Sequence, residues 1–163
     1  MNIEKKDYTI LMKITCPGFT QKEQIPRKYT CDGEEINPPL VFSDVPAEAK
    51  SLALIMEDPD VPHSIRPDGM WDHWLVWNIS PETERIEEGL PPNGVYGTNS
   101  SGGKAYEPPC PPNGTNRYFF KLFALDIILS LSEESSKSEL LSEMKGHIID
   151  EAELVGLYER KQK

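Results

Sequence analysis

The sequence predicts a mainly β protein, a sandwich of two sheets with one helix near its C-terminus. Fifteen prolines and eleven glycines separate strand-like segments, the pattern of many turns joining short strands. Two runs, Leu52–Met56 and His73–Ile79, are apolar on both faces, so each needs cover on both sides, which a pair of stacked sheets supplies. Only one stretch carries a clear helix signature: Ser136 and Glu139 fit a capping box, and Leu140, Leu141 and Met144 form one apolar stripe that Gly146 can stop.

Taken in order, Thr9–Ile14 is β-rich and is ended by Pro17-Gly18. Asp32-Gly33 reads as a turn, and Asn37-Pro38-Pro39 stiffens the entry to a short strand over Leu40–Phe42. In the second apolar run, Trp74 and Val76 fall on one face, with Leu75, Trp77 and Ile79 on the other. The acidic, proline-containing stretch 81–95 predicts a loop with one helical turn. Asn113-Gly114 turns the chain into a long aromatic strand over Arg117–Leu125, where Lys121 brings part of one face to solvent. Alternation of Ala152, Leu154, Gly156 and Tyr158 favours a final strand. No linker or repeat divides the chain, so 1–163 reads as one domain.

A net charge of -10 excludes a nucleic-acid binder, which needs a basic face, and disfavours docking on anionic membranes. No apolar run is long enough for a signal peptide or a membrane span, so a cytoplasmic location is expected. Cys16, Cys31 and Cys110 match no zinc pattern, and reduced, partly buried thiols are expected. Neither a metal nor a cofactor is expected.

The candidate site lies where the two apolar strands deliver polar groups. Asp58 and Asp60 sit in a loop pinned by Pro59 and Pro62, and Trp71, Asp72 and His73 open the second strand. A histidine among carboxylates can be held protonated or in one tautomer, as a donor to an anionic ligand. Either Asp alone is more simply a turn cap, but convergence at buried strand ends, where an unpaired charge is costly, favours a site. The Gly97–Gly103 stretch reads equally as a backbone cradle for phosphate or as a plain surface loop. No nucleophile elbow or metalloprotease motif accompanies these groups, so a hydrolase or lyase using Asp58, Asp72 and His73 is the weakest alternative.

The sequence resembles the phosphatidylethanolamine-binding protein family, in particular its bacterial and archaeal Raf kinase inhibitor-like branch. The resemblance rests on Tyr29–Leu40, Ser51–Ile55 with Asp58–Pro62, Asp72-His73-Trp74, the Gly97-x-Asn99-x-x-Gly102 loop, Tyr106–Pro112 running on to Asp126, and the tail. It implies an antiparallel β-sandwich with one shallow pocket for phosphate, phosphorylated headgroups or similar anions, and no catalysis. It also implies kinase or protease inhibition in some members and homodimers among prokaryotic ones. The pocket it implies takes in Asp58, Pro62, Trp71, His73, Tyr106, Pro112 and Tyr118. Two positions depart from the family pattern. Asn116 stands where the pattern has His, leaving a donor that cannot become cationic, and Pro108 stands where it has Gly, removing a backbone donor. Both point to a retuned anion site. The rival reading is a protein-interaction module whose pocket is regulatory or vestigial.

Overall fold

A computed structural model describes residues 10–161. Among these residues, besides a short 3-10 turn at Arg27–Tyr29, eight strands and one α-helix follow in the order β1 (Lys13–Thr15), β2 (Leu40–Ser43), β3 (Ser51–Asp58), β4 (Trp71–Ile79), β5 (Arg85–Ile86), β6 (Val95–Tyr96), β7 (Thr115–Leu125), α1 (Lys137–Met144) and β8 (Ile148–Glu159). They form two antiparallel sheets, a small one ordered β1-β2-β5 and a large one ordered β6-β4-β3-β7-β8. Ile14, Leu40, Phe42 and Ile86 of the small sheet pack on Leu54, Met56, Trp74, Val76, Tyr118 and Phe120 of the large one, which is the interior of the sandwich. The other face of the large sheet buries Ile55, Leu75, Trp77 and Phe123 under Leu140 and Met144 of α1.

β3 is central because all eight of its residues are buried, as its unbroken apolar run requires. β7 pairs along one side of it and β4 along the other. β4 alternates as expected up to Trp77, but Ile79 joins Trp74 and Val76 in the interior instead of lying with Leu75. The register shifts between Leu52 and Leu54, and Asn78 takes φ 55°, so the chain gains a residue and turns Ile79 over. Asn78 suits this left-handed position, and its amide exchanges hydrogen bonds with the backbone N–H and C=O of Leu129.

Other expectations shift locally. The first strand begins at Lys13; Ile10 and Leu11 are exposed, and Thr9 lies outside the described residues. The 81–95 stretch holds the short strand β5 and the start of β6 and contains no helical turn. The helix has the capping box of Ser136 and Glu139, but only Leu140 and Met144 are buried, while Leu141 faces out. The outer edge of β8 is met by the segment before Pro26: Lys22 N–H donates to Val155 C=O and Ile25 N–H to Leu157 C=O, both at 2.7 Å. Gly156 is needed at that crossing, because a Cβ there would stand 2.5 Å from Ile25 Cγ1.

The cysteines overturn the expectation of three thiols. Cys31 and Cys110 form a disulfide, with Cα atoms 5.4 Å apart, and only Cys16 is free and buried. Sequence spacing hid the pair because the two residues are 79 positions apart and meet only after folding, where Cys31 N–H bonds Pro109 C=O. A cross-link closing a loop of that length restricts the unfolded chain by about 4 kcal/mol in the loop-entropy description. Cys110→Ser is therefore expected to lower the unfolding free energy by several kcal/mol in urea titration, and added reductant should do the same to the parent chain and nothing to the variant.

Candidate functional site

The candidate recess forms where β3 and β4 end side by side against β7. Met56 pairs with Trp74, but the next partners are Glu57 with Asp72 and Asp58 with Trp71, leaving His73 as the extra residue of a bulge. Plain alternation would send Asp72 to the sandwich side together with Trp74. The bulge instead puts Asp72 with Glu57 on the helix side and leaves His73 against Tyr118, the two rings edge to face at 5.3 Å.

Asp58 is buried, and both of its oxygens are engaged. Oδ1 accepts the Asp60 N–H and Oδ2 accepts the Asn116 amide, each at 2.8 Å. Burial pushes the Asp58 carboxyl above the ordinary range, and the Asn116 and Asp60 donors only partly offset it. Burial together with the nearby Asp58 charge pushes the Tyr118 phenol up as well.

His73, 5% exposed, is pushed down by burial, against the opposing pull of Glu107 and the aspartates, so its neutral form is favoured. Its Nδ1 lies 2.7 Å from the Glu107 carbonyl. A carbonyl can only accept, so Nδ1 carries the hydrogen, and the neutral ring leaves Nε2 as a bare acceptor. Among the described residues Nε2 has no partner.

The rim comes from the loop after β3. Pro62 C=O accepts Ile65 N–H and Arg66 N–H, and Val61 N–H reaches Gly69 C=O. This tight loop lays the Arg66 guanidinium over the Trp71 ring, 5.4 Å from its centre. Trp71 Nε1 donates to the Glu107 carboxylate at 2.8 Å. Asp60 faces Arg117, whose Nε and Nη2 form a fork at 2.9 Å to its two oxygens, and this holds the Asp60 carboxyl below its usual range.

Asp58, His73, Trp71, Asn116 and Tyr118 thus come together, with Asp60 and Pro62 at the rim and Pro108 directly after Glu107. Asp72 is turned away: Lys137 Nζ lies 2.6 Å from its Oδ1 and 2.7 Å from Glu57 Oε2, while Lys121 holds the other Glu57 oxygen at 2.6 Å. Burial would raise the Glu57 pKa, but the two lysines outweigh it and hold the carboxyl low. Tyr106 lies behind Trp74, ring edge to face, with its hydroxyl on Tyr29 C=O. Pro112 is exposed and lines a separate groove with Arg27, Asp32 and Arg160.

The Gly97–Gly103 loop resolves its two readings. Every N–H from Gly97 to Gly103 is already committed within the protein: to Leu75, Ser135, Gly103, Asp72 and Asn99 carbonyls, and to Asn99 Oδ1 twice. No backbone donor remains there for a phosphate, and Asn99 acts as the internal staple. Glu107 and Arg66 were not marked by the sequence. Glu107 contributes partly through a main-chain carbonyl, which no residue type signals, and Arg66 by stacking, although an Arg eight residues beyond Asp58 was a visible cue.

The profile of the phosphatidylethanolamine-binding protein family matches residues 15–159. A UPF0098 protein of Chlamydia trachomatis is 52% identical over 149 residues, covering 91% of this chain and 99% of that one. Its counterpart in Methanothermobacter thermautotrophicus is 47% identical over 155 residues, covering 91% and 99%. Among solved structures, the putative phosphatidylethanolamine-binding protein homologue CT736 of Chlamydia trachomatis superposes with a TM-score of 0.91 at 51% identity, covering 93% of this chain and 99% of that one. YbcL of E. coli, described as a new member of the mammalian family, gives 0.83 at 27% identity, covering 93% and 100%. The chain belongs to the phosphatidylethanolamine-binding protein family. No helix among the described residues is long and apolar enough to cross a membrane.

Two outcomes follow from the recess itself. Asn116→Leu leaves Asp58 Oδ2 buried without its donor and should cost about 1–3 kcal/mol of stability, read by chemical denaturation. The depressed His73 pKa favours the folded chain above the unfolded value of about 6.5; as pH falls from there toward the folded pKa, the unfolded chain protonates first and stability is lost. Unfolding free energy measured between pH 7 and 5 should therefore fall less steeply in His73→Gln than in the parent.

Proposed function

We propose that this chain is a non-catalytic binding protein whose recess takes a small oxyanion, such as phosphate, a phosphorylated headgroup or a carboxylate, that brings its own proton. The supporting observation is the pairing of a buried Asp58 with a His73 whose Nδ1 hydrogen is committed to Glu107. An aprotic anion would face a carboxylate and a lone pair. A protonated oxyanion such as dihydrogen phosphate can donate to Nε2, or hand over its proton and pair, as hydrogen phosphate, with the resulting imidazolium. Arg66 on Trp71, paired only at 4.0 Å with Asp68, supplies cationic character at the rim, while Arg117 is closely matched by Asp60. Asn116 commits its amide to Asp58, which fits a site retuned away from a second cation.

Binding of this kind is coupled to proton uptake. Because burial keeps the free imidazole neutral in this range, the bound proton must come with the anion, so phosphate affinity should rise as pH falls toward the anion's own pKa, by at most about tenfold per pH unit. Isothermal titration with inorganic phosphate at pH 8, 7 and 6 measures it, and the heat should change with the ionisation enthalpy of the buffer. His73→Gln should weaken binding by about 1–3 kcal/mol and flatten the pH profile. Equal affinity at all three pH values, or undiminished binding by the variant, would sink the reading.

A second role as an interaction module is favoured by a different observation. Ile127 and Ile128 lie beside Ile148 and Ile149, all exposed, where Asp126 N–H meets His147 C=O. Such an apolar patch suits a kinase or protease partner, or a second copy of the chain in a cytoplasmic homodimer. Sedimentation of Ile128→Glu against the parent distinguishes a self-contact from a monomeric surface.

A further inference from the structure

A cavity of about 620 Å³, away from the Asp58–His73 recess, is walled by Glu35, Ile36 and Asn37, by Gly94–Tyr96, by Lys104–Tyr106, and by Glu133. Its body is apolar and aromatic, and its size suits a small organic ligand. The side-chain donors on its walls are already in use. The Tyr106 hydroxyl donates to Tyr29 C=O and the Tyr96 hydroxyl to Pro92 C=O, so both present ring surface only. Lys104 Nζ is held 2.9 Å from Glu134 and 3.6 Å from Glu133. Asn37 is 5% exposed, and its Nδ2 donates to Pro38 and Glu87 carbonyls. Its Oδ1, by contrast, accepts no hydrogen bond among the described residues.

Among the wall side chains, those left open accept: Asn37 Oδ1, the exposed Glu35 carboxylate, and a Glu133 that shares the Lys104 charge with Glu134. Two tyrosine rings add faces that attract cations. We propose that this cavity binds a small organic ammonium with an aromatic or aliphatic body, the ammonium directed to Asn37 and the two glutamates. This polarity is opposite to that of the oxyanion recess, and the proposal stands without it. The two places share one stretch of chain, because Ala105 and Tyr106 wall the cavity while Glu107 holds His73.

Phenethylamine and phenylacetate, alike in ring and chain length, test this by titration against the amide NMR spectrum of the whole chain. The amine should shift the Ile36, Gly94 and Ala105 amides and bind there at least about fivefold more tightly than the carboxylate. Ala105→Leu, which adds bulk from an exposed position on the wall, should weaken the amine severalfold. Glu35→Gln with Glu133→Gln should close the gap between the two probes while keeping the fold. Inorganic phosphate should leave these amides in place. Equal binding of the two probes, amine shifts unaltered by Ala105→Leu, or shifts gathered instead around Asp58 and Asp60 would overturn the proposal.

Discussion

Everything at the recess depends on β3 having no freedom. It is hydrogen-bonded along both edges, and every side chain is buried, so its last two residues must point to opposite faces of the sheet. Glu57 and Asp58 are neighbours in sequence and strangers in space. Glu57 enters a network with Lys121, Lys137 and Asp72 that ties the start of α1 to the sheet. Asp58 meets only neutral donors, keeps its burial penalty, and is left able to take part in recognition. One strand end thus separates a charge used for cohesion from a charge available to a ligand. Partnership, not residue type, decides which is which.

The bulge at His73 completes that separation on the neighbouring strand. Without it, the imidazole and Asp72 would exchange faces. The network on the helix side would lose its second carboxylate, and the sandwich side would gain an acid in place of a base. Glu107 then fixes both neighbours from outside the sheet, with its carbonyl on His73 and its carboxylate on Trp71. The disulfide and Cys31 N–H tether the segment that follows Glu107 to the loop around Cys31, so the orientation of the imidazole rests on a covalently anchored wall.

The parts of this arrangement that could be read from the chain are those that periodicity encodes. The apolar runs at Leu52–Met56 and His73–Ile79 announced buried strands, and Ser136 with Glu139 announced the helix start. Convergence of Asp58 and His73 followed from the order of strands and loops. Features that break periodicity were not legible: the extra residues near Asn78 and at His73 each reversed what lay beyond them, so Ile79 and Asp72 ended on unexpected faces. Long-range partners were hidden for another reason. Cys31 with Cys110, and Lys137 with Asp72, meet only once the topology is formed, and no local pattern reports that.

The segment 21–25 that crosses the rim of β8 has a bearing on behaviour in concentrated solution. The last strand of an open sheet exposes unpaired main-chain groups that can recruit a foreign strand and seed aggregation. Here the C-terminal half of that strand is capped by Lys22 and Ile25. The other half carries Asp150, Glu151 and Glu153, whose mutual repulsion deters a matching edge. The border is guarded by backbone along one stretch and by electrostatic repulsion along the next, which leaves such ribbon-like growth little to build on.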